Sequence, residues 1–308
     1  MNQEGKIEGI ITKGVGGIYT VRINDEQGIR KVFCSVRGIF RQKDFIPQAG
    51  DTVYIEDSGD VDIPYVISAF APRRNSLQRP PLANVDYLLL TFAVTEPVPD
   101  LKLLDKMLII SGVLGIKPVI IFTKSDLGKE EADSLYNIYK NAGFDVMISS
   151  PESPVSKETL MELTGSGISA FAGPSGVGKS SLCNRILGTR AMETNEISVK
   201  LKRGKHTTRH CELHDFGDGF ITDTPGFTSL SLFDLGITHK DVCMGYPEII
   251  RYAGECRYDD CGHVGEAGCA VDEAFQKCMI DEGRMQRYRE FYKELYDNRN
   301  NYKRRKRL

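Results

Sequence analysis

A glycine-rich segment ahead of a predicted helix carries the clearest chemical signal in the sequence. It fits the pattern G-x-x-x-x-G-K-[ST], which binds phosphate groups where a strand passes into a helix. The glycines let backbone N–H groups converge on phosphate oxygens at the N-terminus of the helix. We expect Lys179 to neutralise the outer phosphates and the Ser180 hydroxyl to ligate Mg²⁺. The residues of this phosphate loop are Gly173, Pro174, Ser175, Gly176, Val177, Gly178, Lys179 and Ser180.

A second polar group, Asp223-Thr224-Pro225-Gly226, follows a predicted apolar strand at 220–222. An aspartate at the end of a strand, downstream of a phosphate loop, can hold Mg²⁺ through water while a glycine amide senses the terminal phosphate. An isolated Asp-x-x-Gly is an ordinary turn. Because it follows a phosphate loop here, we interpret Asp223 and Gly226 as nucleotide-binding residues.

The polar stretch 203–209 lies between these two motifs, where a switch loop with an Mg²⁺-binding threonine is expected. Thr208 is our candidate for that ligand, and its neighbour Thr207 is the alternative. A threonine in a loop usually has no such role. The assignment therefore depends on the position of Thr208 in the order of motifs.

Base recognition is predicted at Thr123-Lys124-Ser125-Asp126, at the end of a predicted strand. A carboxylate accepts hydrogen bonds from N1–H and from the exocyclic amine of guanine, and adenine lacks this pair of donors. Asp126 therefore predicts selectivity for guanine, and Lys124 would lie along the base. Thr123 stands where this motif usually has asparagine, which weakens the predicted affinity for guanine. Ser149, at the end of the next predicted strand, is a candidate for a further base-contacting loop.

The order of these motifs is unusual. In common small GTPases the phosphate loop precedes the base motif, whereas here the base motif comes first. Joining the old termini and reopening the chain elsewhere would preserve the site, because chain termini often lie close together. The order predicts a circularly permuted GTPase domain in which Asp223 lies just before the C-terminal segment.

Four potential metal ligands cluster near the C-terminus in the pattern C-x4-C-x-H-x5-C. Three thiolates and one imidazole make a closed, tetrahedral Zn²⁺ site of the structural type. We expect one zinc ion per chain; buried cysteines without metal are the alternative. The ligands would be Cys256, Cys261, His263 and Cys269.

Length and composition limit the class of protein. A chain of 308 residues suits two or three domains. With 41% hydrophobic and 27% charged residues it is an ordinary globular protein, and its net charge of −2 indicates no partner. We expect a cytoplasmic protein with reduced cysteines, because no apolar run suits a membrane span and no signal peptide is evident.

Basic residues accumulate at the C-terminal end. Such an end on a nearly neutral chain predicts contact with a polyanion, and a solvated, frayed helix end is the alternative. The residues are Arg284, Arg287, Arg289, Lys293, Arg299, Lys303, Arg304, Arg305, Lys306 and Arg307.

Strand and helix patterns predict a multidomain α/β protein. Five short strands at 6–12, 17–24, 30–36, 52–56 and 64–70 predict a barrel like the OB-fold over residues 1–71. A basic, proline-containing linker is expected at 72–83. Alternating strands and helices over 84–235, including a helix at 101–114 and a strand at 168–172, predict a parallel sheet with helices on both faces. Residues 236–308 would form a helical, zinc-binding domain.

The permuted order, the N-terminal barrel and the cysteine–histidine pattern together resemble one family, the bacterial ribosome small subunit-dependent GTPase A family, often called RsgA or YjeQ. The resemblance implies an enzyme that hydrolyses GTP with Mg²⁺, slowly alone and faster when stimulated by the small ribosomal subunit. It also implies contact with ribosomal RNA and a role late in maturation of the subunit. We also expect the protein to be a monomer. By resemblance, residues 123–126 and 173–181, including Ser181, bind nucleotide, and the four ligands bind zinc.

Two further residues take expected roles from this resemblance. Phe227 follows the Asp-x-x-Gly at a position where other GTPases often have a water-orienting glutamine, so slow intrinsic hydrolysis is expected. His206 precedes the threonine pair and is the candidate for positioning the attacking water, with a plain loop histidine as the alternative.

Two other functions remain open. One is a nucleotide-gated RNA-binding module, in which hydrolysis is incidental. The other is a P-loop ATPase with a metal-binding tail, which Asp126 disfavours.

Overall fold

The computed structural model describes residues 6–41, 45–78, 80–188, 211–223 and 231–305. The chain divides into two compact units. The first unit comprises Met1–Tyr87, Ser156–Phe171 and Ser180–Phe227, and the second comprises Leu88–Val155, Ala172–Lys179 and Thr228–Leu308.

Five strands of the first unit close into a barrel in the order β1-β2-β3-β5-β4. They are β1 (Ile7–Val15), β2 (Ile18–Asp25), β3 (Gly28–Val36), β4 (Thr52–Asp57) and β5 (Tyr65–Phe70). Because successive side chains of a strand point to opposite faces, Val21 and Ile23 enter the core while Arg22 points outward. The core consists of Ile11, Val21, Ile23, Val32, Cys34, Val36, Val53, Ile55 and Ile67. The predicted OB-like barrel is confirmed.

The segment 72–83, for which a linker is predicted, contains a short antiparallel ladder. Its strands are β6 (Ser76–Gln78) and β7 (Pro81–Ala83), with Leu77 paired to Leu82 and both buried. Strands of three residues are too short to show the alternation by which a strand is recognised.

Six further strands form a sheet in the order β10-β9-β8-β11-β13-β12. They are β8 (Tyr87–Ala93), β9 (Lys117–Thr123), β10 (Asp145–Ile148), β11 (Ile168–Ala172), β12 (His214–Phe216) and β13 (Gly219–Asp223). The pairs β9–β10 and β11–β13 are parallel. The prediction of a parallel sheet is wrong at one edge, because β12 is antiparallel to β13. The two-residue turn between these strands, with Gly217 at φ +60°, allows only a hairpin.

The helices follow the predicted pattern closely. They are α1 (Gly38–Arg41), α2 (Leu101–Leu114), α3 (Lys129–Ala142), α4 (Lys157–Thr164), α5 (Lys179–Leu187), α6 (Pro247–Ala253), α7 (Ala270–Gln276) and α8 (Glu282–Arg305), with 3₁₀ helices at Ser125–Leu127 and His239–Gly245. Helix α2 shows why its bounds were predictable. The Asp100 carboxylate accepts from the Leu103 amide at its start, and Gly115 ends it at φ +65°.

Two arginines of the predicted basic end bind a buried carboxylate of the second unit instead of forming an open basic surface. Arg284 is fully buried, and its guanidinium binds Asp105 at 2.6 Å and Glu248 at 2.8 Å. Arg287 donates to the other oxygen of Asp105 at 2.6 Å. The prediction is wrong for this pair because the carboxylates of Asp105 and Glu248 are themselves buried, and buried charges need partners.

Candidate nucleotide-binding site and metal centre

The phosphate loop connects β11 to α5, as its sequence pattern requires. Gly173 has a φ of +147°, and a Cβ there would lie 2.1 Å from the Thr91 carbonyl oxygen. No other residue fits that position without displacing the backbone. Ser175 and Gly176 are exposed at the tip of the loop. The Lys179 ammonium donates to the Pro174 carbonyl at 2.6 Å, so this lysine lies across the loop where phosphates are expected.

The base motif is linked to the phosphate loop within the second unit. The buried Thr123 hydroxyl donates to the Val177 carbonyl at 2.6 Å and lies 3.3 Å from the Phe92 carbonyl. A hydroxyl has a single proton, so the shorter contact is the main bond. Thr123, which stands where the motif usually has asparagine, thus ties the base motif to the phosphate loop. Ser149 lies beside the same motif, because its carbonyl accepts from the Ser125 amide at 3.3 Å.

Lys124 and Asp126 follow this link along the chain. Lys124 has a φ of +57°, and its ammonium donates to the Glu96 carbonyl. Asp126 lies in the 3₁₀ helix Ser125–Leu127 and is exposed. Its carboxylate is therefore accessible to a ligand. The carbonyls of Glu96 and Val177 were missed by sequence reasoning, because backbone groups carry no residue signature.

The predicted Mg²⁺ ligands pair within the first unit. The Ser180 hydroxyl donates to Asp223 Oδ2 at 2.8 Å. The other carboxylate oxygen, Oδ1, is buried and has no hydrogen-bond partner among the described residues. A buried carboxylate oxygen without a partner is costly, and oxygen is the ligand that Mg²⁺ prefers. The pair therefore fits Mg²⁺ or a water bound to it.

Several predicted site residues lie outside the described residues. They are Thr207, Thr208 and His206 of the switch stretch, together with Gly226 and Phe227. Ser181 is described, and it lies exposed in the first turn of α5.

The four predicted zinc ligands converge on one point of the second unit, with ligand atoms within 4.8 Å of one another. His263 Nδ1 lies 3.5 Å from the sulfurs of Cys256 and Cys269, and those sulfurs are 4.0 Å apart. A tetrahedral zinc with bonds of about 2.3 Å to sulfur and about 2.0 Å to nitrogen would separate sulfur from nitrogen by about 3.5 Å and two sulfurs by about 3.8 Å. The residues fit zinc closely.

Neighbouring groups hold these ligands in place. The Glu266 carboxylate accepts from the Gly262 and Val264 amides at 2.9 and 2.8 Å, which closes the turn around His263. The Cys269 sulfur accepts from the Asp272 amide at 3.4 Å. An N–H donor of this kind favours the thiolate form that a metal requires.

Known protein families provide an independent comparison. The profile of the RsgA GTPase matches residues 70–233, and that of the RsgA N-terminal domain matches residues 8–62. The first match alone covers more than half of the 308 residues. The chain belongs to the RsgA GTPase family. It is a GTP hydrolase with a circularly permuted GTPase domain, as the order of motifs predicted.

Individual relatives match end to end. A protein of Ruminiclostridium cellulolyticum named small ribosomal subunit biogenesis GTPase RsgA is 40% identical, over 94% of both chains. A Bacillus cereus protein of the same name is 37% identical over 96% of this chain and 99% of its own. Among solved structures, YloQ, described as a circularly permuted GTPase, is 31% identical with a TM-score of 0.78 and covers 97% of this chain and 98% of its own. Thermotoga maritima YjeQ is 29% identical with a TM-score of 0.78, covering 94% and 99%.

No helix in the described ranges combines the length and the apolar character needed to cross a bilayer.

Proposed function

We propose that this GTPase assists late maturation of the small ribosomal subunit, binds the subunit and its ribosomal RNA, and hydrolyses GTP faster in their presence. The observation that carries the proposal is the end-to-end similarity, 40% over 94% of both chains, to a protein named for biogenesis of that subunit. The enzyme would act in the cytoplasm, where subunits are assembled, as a monomer.

The nucleotide chemistry is assigned to the C-terminal end of the phosphate loop and to Asp223. Lys179 neutralises the outer phosphates, and Ser180 and Asp223 hold Mg²⁺, which supplies charge neutralisation during phosphoryl transfer. The Oδ1 of Asp223, which finds no hydrogen-bond partner within the described part of the chain, supports this assignment. Thr208 is the proposed further Mg²⁺ ligand, and Gly226 the proposed phosphate sensor. His206 is the proposed positioning group for the attacking water.

Guanine selectivity is assigned to the exposed Asp126, which lies three residues after Thr123. The hydrogen bond from Thr123 to the Val177 carbonyl ties this motif to the phosphate loop. Asp126→Asn replaces one acceptor by a donor that faces a donor of guanine. The variant should lose GTP binding and gain preference for xanthine nucleotides, measured by competition with fluorescent analogues. Equal affinity of the unaltered protein for ATP and GTP would contradict the assignment.

One zinc ion with a structural role is assigned to Cys256, Cys261, His263 and Cys269. All four positions of a tetrahedral zinc are filled by protein, so no metal-bound water remains for GTP cleavage. We therefore assign the zinc to folding of the C-terminal region and not to chemistry.

The proposed RNA contact uses exposed basic groups beyond the buried arginines. Lys293 of α8 is exposed, and the chain after it is rich in lysine and arginine. Binding should weaken as salt is added, because neutralised phosphates release counterions.

The decisive experiment measures GTP turnover with and without purified small subunits. Stimulation that disappears in Lys179→Ala, with subunit binding retained, would support the proposal. The second candidate function is a nucleotide-gated RNA-binding module, favoured by the basic C-terminal sequence. GTP-dependent subunit binding with unchanged turnover would favour this second function. If small subunits neither stimulate turnover nor bind the protein, both candidate functions are contradicted.

A further inference from the structure

The hairpin β12–β13 is held by the barrel within the first unit. Arg22, on the outer face of β2, reaches the turn of this hairpin. Its guanidinium donates to the Asp218 carbonyl at 2.7 Å and to the Asp215 carboxylate at 3.2 Å. It also lies 4.0 Å from the centre of the buried Phe220 ring. One side chain thus contacts both strands of the hairpin and the turn between them.

Other contacts fix the same hairpin along its length. The Leu213 amide donates to the Thr12 carbonyl of β1 at 2.9 Å. Lys13 binds Glu212 at 2.6 Å, and Lys31 of β3 binds Asp215 at 2.7 Å. Partial burial acts to raise the pKa of Asp215, but the nearby Lys31 and Arg22 outweigh it and lower that pKa. Strands β1, β2 and β3 of the barrel therefore all bind this short hairpin.

The far end of this hairpin carries the proposed Mg²⁺ ligand. Strand β13 begins at Gly219, beside Arg22, and ends at Asp223, whose carboxylate accepts from Ser180. The two ends are about 13 Å apart, since an extended strand advances about 3.3 Å per residue. Extended backbone with ladder bonds on both sides is stiff, so a shift at Gly219 moves Asp223 as well.

Arginine suits this position better than other cations. Its planar fork can bind a carbonyl and a carboxylate at once while its face lies on an aromatic ring. The Arg22 side chain is only 15% exposed, so these contacts are partly shielded from solvent screening.

We propose that Arg22 is a positioning residue for the magnesium site, acting through the hairpin β12–β13 on Asp223. The barrel then serves as the support that sets the orientation of the Asp223 carboxylate. A partner that displaces the barrel surface would change Mg²⁺ binding without touching the nucleotide. The inference depends on the proposed role of Ser180 and Asp223 but not on the ribosomal partner.

The test compares Arg22→Met with Arg30→Met in the full-length protein. Methionine retains apolar contact with Phe220 but removes the donors. Arg30 is a matched control, because it binds Asp25 at 2.6 Å and lies 5.9 Å from the Tyr65 ring entirely within the barrel. The readouts are amide hydrogen exchange at 213–223 and the Mg²⁺ midpoint for binding of a fluorescent GDP analogue.

Arg22→Met should speed exchange at 213–223 about tenfold and raise the Mg²⁺ midpoint by a similar factor, as expected for one lost network of charged hydrogen bonds. GDP binding without Mg²⁺ should stay unchanged, which shows an intact fold. Arg22→Lys should restore part of the effect, and Arg30→Met should change neither readout. An Arg22→Met protein with the original exchange and Mg²⁺ midpoint would overturn the inference. So would an Arg30→Met protein with the same two changes.

Asp223→Asn separates this inference from the proposed function. If that variant keeps the original Mg²⁺ dependence, the proposed ligand is wrong. If it loses Mg²⁺ dependence while Arg22→Met keeps it, only the positioning role is wrong. Should Arg22→Met fail to fold, Asp215→Asn removes the charged partner of Arg22 on the hairpin. This variant must then show faster hydrogen exchange at 213–223 and a higher Mg²⁺ midpoint.

Discussion

The barrel and the metal loop, defined as residues 254–268, differ in how much apolar surface each has to bury. The barrel buries a cluster of aliphatic side chains that its strands supply at every second position. In the metal loop only Gly262 and His263 are buried, and His263 is a proposed zinc ligand. Apolar burial can hold a segment only if the segment has apolar residues to bury. Where these are missing, metal coordination supplies the free energy of folding instead.

A third arrangement lies next to the metal loop, in the contacts of α8. Asp105 accepts from Arg284, Arg287 and the Tyr139 hydroxyl, and Tyr246 stacks against the Arg284 guanidinium at 4.1 Å. This buried network (Asp105, Glu248, Arg284 and Arg287) is largely removed from solvent, as a hydrophobic core is. Its charged groups also bind one another in fixed directions, as metal ligands bind a metal. From this comparison we expect removal of a metal ligand to destabilise its own region strongly. Removal of a buried charge should destabilise the protein less, and removal of a methyl group from the core least.

The largest effect is expected from loss of the metal. Cys261→Ser or chelation should remove protection from hydrogen exchange throughout residues 254–268, because structural zinc contributes about 10–16 kcal/mol of binding free energy to folding. Exchange in the barrel should not change. Cys278→Ser is the control, since Cys278 is exposed and outside the ligand set. Stoichiometric zinc in the Cys261→Ser variant, or an unchanged loop, would contradict the prediction.

The next effect is expected in the buried network. Arg284→Met leaves Glu248 buried without its partner and should lower the free energy of unfolding by about 3–5 kcal/mol. The measurement is urea denaturation followed through the helical signal. The control Lys293→Met, on the exposed face of the same helix, should change stability by no more than about 0.5 kcal/mol. Adding Glu248→Gln to Arg284→Met should restore part of the loss, and a further decrease would show that the two residues do not act as a pair.

A smaller effect is expected in the barrel core. Ile55→Val removes one methylene from a fully buried side chain and should cost about 0.5–1.5 kcal/mol in urea denaturation. Valine retains the β-branched shape, so the strand is not disturbed. A cost as large as that of Arg284→Met would mean that the barrel is less tolerant than its aliphatic core implies.

The smallest effect is expected for the thiol reactivity of the barrel, which chelation should leave unchanged. Burial raises the pKa of Cys34 to about 12, so iodoacetamide at pH 8 should not modify it before or after chelation. Cys278 should react in both conditions, and Cys256 and Cys261 only after chelation. Mass spectrometry of the labelled peptides identifies each site. Modification of Cys34 in the chelated protein would show that the metal also stabilises the barrel.

Much of the site could be predicted from local sequence. The phosphate loop, the base motif and the four proposed zinc ligands each require fixed residue types at fixed short spacing, and the structure places the described members of each set together. The helix Leu101–Leu114 and the strand Ile168–Ala172 have the predicted bounds, because capping residues and continuous apolar runs mark their ends. The ladder β6–β7 and the antiparallel β12 escaped prediction because both elements are only three residues long.

The sequence by itself determined the order of motifs, the Cys/His cluster proposed to bind zinc and the barrel, because each depends on residue type and short-range spacing. Only the tertiary structure decided that Arg284 is buried and that Arg22 binds the hairpin β12–β13. It also decided that Thr123 braces the phosphate loop. These contacts join residues separated by 179, 196 and 54 positions respectively. An arginine on a polar helix has the same local signature whether it faces solvent or a buried carboxylate. Its environment is set by which distant elements the fold brings against it.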